Sequence, residues 1–212
     1  METLFLIVIL IFSAVIHELA HGVVAYKLGD STAKYAGRLT LNPLKHLDPI
    51  GSVFFPLILI ILSKMGGGGI IFGWAKPVPV NPYNFRNPRN DFAKVAVAGP
   101  ASNLLIALFF GLILRLVLIP AGISVDLAPP FNFGDAIAFI VYINILLAVF
   151  NLLPIPPLDG SHILFRFLPL SAQNLKIILN QYGFLILILL IFFFFRWISL
   201  VINVIFNLIT GI

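Results

Sequence analysis

Two histidines and a glutamate stand close together in the first apolar stretch of the chain, in the run His17-Glu18-Leu19-Ala20-His21. On a helix, residues four apart lie on one face, so the two imidazoles point at one spot and the carboxylate sits ~100° round, within reach of a metal-bound water. Chance gives roughly 0.0007 such runs in a chain of this composition. Imidazole ligands with a free coordination position suit zinc, but the residues do not exclude iron, cobalt or nickel.

A catalytic zinc ion needs a third protein ligand, because water takes its fourth position. The candidates outside the motif are His46, His162, Glu2 and the six aspartates. Asp159 is the best placed of them, because it follows a proline-rich break after a membrane segment, and backbone freed by such a break has to line a cavity. An aspartate after a proline turn is also a common helix N-cap. The residues alone leave these two roles of Asp159 equally open.

The composition excludes a soluble domain. Hydrophobic residues make up 60% of the 212 positions and charged residues 10%, against about 25% charged in soluble domains. The net charge of +5 does not indicate nucleic acid, because basic residues beside membrane segments commonly fix topology. The absence of cysteine from the sequence excludes disulfides, thiolate ligands and a cysteine nucleophile. We therefore expect an integral membrane protein that contacts the lipid bilayer and binds no nucleic acid.

The apolar runs predict an all-α polytopic membrane protein, a single domain over 1–212 with about four to six transmembrane helices. The last run has 36 residues, which fit one spanning helix plus an interfacial one, or a hairpin. Prolines between Trp74 and Phe85 predict a short loop or an edge strand. The predicted segments are a helix over 3–26 that carries the motif, a segment over 50–73, a helix over 91–119, a helix over 136–153 followed by a broken stretch over 154–165, and C-terminal membrane helices over 177–212.

Topology favours a re-entrant course for residues 50–73. His17 and Asp159 both lie toward the carboxyl ends of their segments, and basic residues follow both ends, which by the positive-inside rule face the cytoplasm. An odd number of crossings must then lie between the two segments that carry His17 and Asp159, and the helix over 91–119 supplies one. A re-entrant segment keeps this count, although 50–73 is also long enough to span. We expect a multi-pass protein of the cell membrane with its active site nearer the cytoplasmic side.

Three separated motifs, in this order, resemble the site-2 protease family of intramembrane zinc metalloproteases (peptidase M50 type). They are His17-Glu18-x-x-His21, Gly99-x-x-x-Asn103 and Asn151-x-x-Pro154-x-Pro156-x-Leu158-Asp159-Gly160. The likeness covers the chain from the first helix to about His162, in the short form that lacks PDZ-like and CBS-like domains.

The resemblance implies one zinc ion held by His17, His21 and Asp159, with Glu18 as general base. It also implies that Asn103 and Asn151 lie near the site and help to hold the substrate or the oxyanion.

The predicted function is therefore hydrolysis of peptide bonds within or near the transmembrane segments of a membrane-protein substrate, by zinc-activated water with Glu18 as general base. A metal-ion transporter and a non-catalytic membrane adaptor are the alternatives. A transporter needs further acidic or histidine stations across the membrane, and the other acidic residues cluster in loops. An adaptor would not need Glu18. The sequence leaves open the oligomeric state, the substrate and the roles of His46, Asp48 and His162.

Overall fold

All regular secondary structure in the described part of the chain is helical. The computed structural model describes residues 2–48, 51, 54, 58, 76–126 and 131–212. The helices are α1 (Glu2–Lys27), α2 (Thr32–Tyr35), α3 (Pro88–Ile113, continued by a π-helical turn over Leu114–Leu118), α4 (Phe133–Asn151), α5 (Asp159–Phe167) and α6 (Gln173–Thr210). This confirms the all-α fold class.

Paired polar caps begin the two central helices. At the start of α3, Asn87 accepts the Asn90 backbone N–H at 3.3 Å and donates its own backbone N–H to Asp91 at 3.0 Å. Asn132 and Asp135 exchange the same two bonds at the start of α4. Each pair of hydrogen bonds satisfies backbone N–H groups that have no partner within the helix at its first turn. The side chains that begin these helices are thus polar, while the helices themselves are apolar.

The bundle is built around α3, which packs between α1 and α4. The His21 ring, in α1, is hydrogen-bonded to the Val95 carbonyl in α3. The Asn103 amide, in α3, donates to the Ser13 carbonyl in α1. The two helices therefore run antiparallel. The core between α3, α4 and α6 consists of fully or almost fully buried aliphatic side chains. They include Leu114, Val141, Ile145 and Ile202. Among the described residues, α3 is the one helix between α1 and α4 that is long and apolar enough to span a membrane.

Four described helices are long and apolar enough to cross a membrane, at the lower end of the predicted range. The expectation of several C-terminal membrane helices over 177–212 is wrong, because α6 is one unbroken helix of 38 residues. At ~1.5 Å per residue it is ~57 Å long, well beyond a ~30 Å hydrocarbon core. Gly211 ends it in the left-handed conformation, with φ of 81°.

The proline-rich stretch before α3 is a loop and not an edge strand in its described part. Residues 76–81 have no regular secondary structure, and a single 3₁₀ turn follows over Pro82–Asn84. Pro77 and Pro79 lack the N–H that a strand ladder needs. Trp74 and nearly all of the predicted re-entrant segment over 50–73 lie outside the described residues. The backbone N–H of Lys76 donates to the carbonyl of His46 at 2.8 Å.

One buried carboxylate joins this loop to the end of α1. Asp30 is fully buried and accepts the backbone N–H of Asn81 and the side-chain amide of Asn84, both at 2.7 Å. It also accepts the backbone N–H of Thr32 at 3.1 Å and its hydroxyl at 2.5 Å. Burial alone would raise the pKa of Asp30, but these four hydrogen bonds favour the charged form and hold it below its usual value.

We predict that Asp30→Ala lowers the stability of the protein by about 1–3 kcal/mol at pH 7, because it leaves several buried hydrogen-bond donors without an acceptor. Because the folded pKa is depressed, this stabilisation is complete above the unfolded pKa of about 3.9 and fades as the pH falls through the folded value. Thermal unfolding in detergent at pH 7 and near pH 3 should show a difference from wild type that narrows in acid. Asp126→Ala, at an exposed carboxylate, is the control. An equal effect of both substitutions at pH 7 would contradict the prediction.

Candidate metal centre

Three side-chain atoms from two distant parts of the chain meet at one point. The Nε2 atoms of His17 and His21 are 3.1 Å apart. Oδ2 of Asp159 lies 3.1 Å from the first and 3.2 Å from the second. Both imidazoles are more than nine-tenths buried. Within the described part of the chain this is the one group of three or more potential ligands close enough to share a metal ion.

The hydrogen bond made by Nδ1 of each imidazole leaves Nε2 to face the point where the three side chains meet. Nδ1 of His21 lies 2.7 Å from the Val95 carbonyl, which can only accept a hydrogen bond, so this nitrogen carries the proton. Nδ1 of His17 lies 2.5 Å from Oδ1 of Asn103, which likewise accepts. Each Nε2 therefore presents a lone pair to the shared point. Outer hydrogen bonds that fix the tautomer in this way are typical of metal-binding histidines.

A break in the chain brings Asp159 to the histidines. The helix α4 ends at Asn151, the prolines at 154, 156 and 157 prevent its continuation, and α5 begins at Asp159. A Cβ at Gly160 would overlap the Leu152 carbonyl, so glycine is what allows α5 to start against the end of α4. Leu158 holds the N-cap position of α5, and Asp159 is the first residue of the helix. Of the two roles left open by the residues, its position fits the metal ligand.

Glycine also makes room for the centre on the side of α3. A Cβ built at Gly99 would collide with Nε2 of both His17 and His21. The backbone of α3 can therefore pass directly over the place where the ligand atoms converge. This gives the Gly99-x-x-x-Asn103 spacing a physical reason, because one helical turn later Asn103 holds the far side of the His17 ring.

The donor set fits a zinc ion. Two ligands at 2.0–2.1 Å from a tetrahedral ion lie ~3.3–3.4 Å apart. The three separations of 3.1–3.2 Å are close to that value without any movement of the backbone. Two neutral imidazoles and one carboxylate with a fourth direction open are the ligand pattern of catalytic zinc. His17, His21 and Asp159 would hold the ion.

A polar network crosses the apolar bundle behind His17. Nδ2 of Asn103 donates to Oδ1 of Asn144 at 2.8 Å, and Nδ2 of Asn144 donates to the Ser13 hydroxyl at 2.9 Å. Asn144 thus forms hydrogen bonds that join its helix to the two neighbouring helices. Asn103 is fully buried, with His17, Asn144 and Ser13 as its partners. Its expected contact with substrate stays a prediction, and the geometry gives it a different task, the orientation of His17.

A cavity of about 300 Å³ opens beside the three ligands. Glu18 and Asn151 both line it, and the Asn151 amide also donates to the Leu147 carbonyl at 2.9 Å. Oε2 of Glu18 accepts the backbone N–H of Val78 at 2.7 Å, so the proline-rich loop forms one wall. Sequence reasoning missed this bond, because a backbone donor has no sequence signature. The alternation of Pro77 and Pro79 around Val78 was the one available signal of an extended chain.

The remaining histidines have separate positions. His162 is half-buried and lines the cavity, and burial lowers its pKa while the nearby Asp159 carboxylate acts against this. His46 is buried outside the ligand group, and its Nε2 donates to the Thr40 carbonyl at 2.9 Å. Asp48 accepts the backbone N–H of Gly51 at 2.7 Å. The side chains of His46 and Asp48 therefore make hydrogen bonds to the backbone of the chain that follows α2.

Comparison with known proteins agrees with this geometry. The sequence profile described as "Peptidase family M50" matches residues 120–190. YwhC of Bacillus subtilis (strain 168) is 41% identical over 88% of this chain and 79% of its own length. Rip2 of Mycolicibacterium smegmatis is 31% identical over 85% of this chain and 64% of its own. MJ0611 of Methanocaldococcus jannaschii is 30% identical over 71% of this chain and 63% of its own.

Each of these three relatives bears the name "Putative zinc metalloprotease". No solved structure matches the chain. The chain belongs to peptidase family M50, the site-2 protease family, as a multi-pass membrane zinc metalloprotease.

Proposed function

We propose that this protein cleaves peptide bonds within or near the transmembrane segments of other membrane proteins. The observation that carries the proposal is the meeting of His17, His21 and Asp159 beside a cavity, with two of the ligands on a helix that is apolar enough to span. Ionisable groups inside a membrane are costly unless they face partners and water, so they mark functional sites. A peptide bond in a membrane segment is the substrate that can reach a centre so placed.

The proposed chemistry is the attack of water on a carbonyl. A zinc ion held by His17, His21 and Asp159 would lower the pKa of a water at the centre and would polarise the substrate carbonyl. Glu18 takes the proton from the attacking water and later delivers it to the leaving amine. Asn103 and the Val95 carbonyl keep the two imidazoles in the ligating tautomer throughout. Asn151 lines the cavity at a place where its amide can contact the substrate.

The bond from Val78 orients the general base. It holds Oε2 of Glu18, while Oε1 makes no hydrogen bond to the described residues and stays available for water. A carboxylate fixed through one oxygen presents the other in a defined direction, which is what a proton transfer over one hydrogen-bond length needs. The loop that carries Val78 is fixed in turn by Asp30 and by the His46 carbonyl.

The proposed location is the cell membrane, with the metal centre toward the cytoplasm. Lys27 is the last residue of α1, and Lys34 and Arg38 follow it. Arg86 precedes α3, and Arg89 lies in its first turn. These two helix ends lie on the same side of the bundle, because α1 and α3 are antiparallel. An excess of basic residues on one side of the membrane segments indicates the cytoplasmic side.

We predict that Glu18→Gln abolishes cleavage, by a factor of about 10²–10⁴, while the protein keeps its fold and its zinc, because the amide cannot accept a proton. The measurement is quantitative proteomics of membranes from cells that carry either form, in which uncut single-span proteins should accumulate in the variant. Asp126→Asn, at an exposed carboxylate, is the matched control. Identical membrane proteomes for wild type and Glu18→Gln would contradict the proposal. Loss of a zinc-dependent ion flux in Glu18→Gln would instead indicate a transporter.

We predict further that Val78→Pro slows cleavage about tenfold or more, since it removes the N–H that holds Glu18, and hydrogen bonds to charged groups contribute about 1.5–3 kcal/mol. Val78→Ala keeps the N–H and should stay close to wild type. Zinc content and thermal stability, measured on the same preparations, show that both variants are folded. Equal rates for the two variants would mean that this bond does not orient the base.

A further inference from the structure

A second cavity, of about 500 Å³, adjoins the one at the metal centre. The start of α3, the helix α5 and the start of α6 form its walls. The two cavities share Phe92 and His162, whose rings lie edge to face with centroids 4.6 Å apart. This pair of rings therefore lies on the border between the two cavities. We call it the basic cavity, after Arg89, Arg166 and Lys176, which all line it.

The positive charges of the basic cavity have no carboxylate partner among the described residues. The Arg89 guanidinium donates to the backbone carbonyls of Arg166, at 3.1 Å, and of Leu168, at 2.5 Å. These bonds fix its position and leave its charge in place. The Lys176 ammonium lies 5.2 Å from the centre of the Phe165 ring. Aspartate and glutamate are missing from the residues that line this cavity.

Three cations in a partly enclosed site favour an anionic occupant. Low-dielectric walls focus the field of such a cluster and raise the local concentration of groups of opposite charge. Arginine and carboxylate form short, charge-assisted hydrogen bonds, often through two parallel N–H donors. The rest of the lining is mostly aromatic, aliphatic and proline side chains, with the amides of Gln173 and Asn180, and this mixture suits the methylene and backbone groups of a peptide.

We propose that the basic cavity binds an acidic side chain of the substrate, on the flank that emerges from the membrane beside the start of α3. This inference rests on the proposed function and deepens it, because it assigns a substrate class to the same cleft. The position of the basic cavity next to the metal-centre cavity, with Phe92 and His162 lining both, favours a peptide over a lipid headgroup, because a substrate bound at the metal centre has its flanking residues nearby. Substrates with aspartate or glutamate a few residues from the cleaved bond should therefore be preferred.

The test measures binding in a form that cannot cleave. Full-length Glu18→Gln protein in phosphatidylcholine nanodiscs is titrated into fluorescein-labelled hexaglutamate, with hexaglutamine as the neutral probe, and fluorescence anisotropy reports the affinity. Arg166→Gln combined with Lys176→Gln should weaken hexaglutamate binding at least tenfold. Lys27→Gln combined with Arg196→Gln removes the same charge at exposed positions outside the cavity and should change it less than twofold.

Equal weakening in the two double variants would overturn the proposal, as would equal binding of the two peptides by the parent. A lipid occupant has its own signature: native mass spectrometry would find phosphatidylglycerol retained by the parent, lost from the cavity variant and undisplaced by hexaglutamate, which would also overturn it. The binding readout needs no proteolysis. A failure here is therefore separate from a failure of the proposed function, which the cleavage of native membrane proteins tests.

Discussion

The convergence of two imidazole nitrogens and one carboxylate oxygen is the constraint on which the rest of this structure depends. The three atoms lie 3.1–3.2 Å from one another, although Asp159 follows His17 by 142 positions. Helical spacing supplies the two histidines at no cost, since residues four apart share a face. The carboxylate oxygen of Asp159 reaches them because α4 ends, because the chain then turns back through prolines, and because Gly160 lets α5 begin in contact with the end of α4.

Polar groups inside an apolar bundle are stable here because each one has a partner. Asn103, Asn144 and Ser13 satisfy one another behind His17, and the Val95 carbonyl satisfies His21. A buried amide or imidazole without such a bond costs several kcal/mol in apolar surroundings, so this network is a condition for placing the two histidines inside an apolar helix bundle. The same bonds select the tautomers that leave each Nε2 free. Stability and chemistry therefore depend on one set of contacts.

The sequence predicts the parts of this arrangement that depend on local periodicity or on a resemblance. The spacing of His17 and His21 indicates the centre directly, and the motif around Asp159 points to the third ligand where position alone left an N-cap equally open. Contacts made by backbone groups have no such signal, which is why the bond from Val78 to Glu18 is visible only in the fold. The course of α6 was equally hidden, because the nearly all-apolar run over 177–212 fits one spanning helix plus an interfacial one, or a hairpin, and apolar content alone does not choose between them.

The central claim is that His17, His21 and Asp159 share one zinc ion. Its most direct test is zinc analysis combined with zinc K-edge X-ray absorption on the purified full chain and on Asp159→Ala. The account predicts one zinc per chain, bound by two imidazoles and at least one carboxylate oxygen, and a weaker site with fewer protein ligands in the variant. A wild-type protein that is active without bound zinc, or a variant with unchanged coordination, would contradict it.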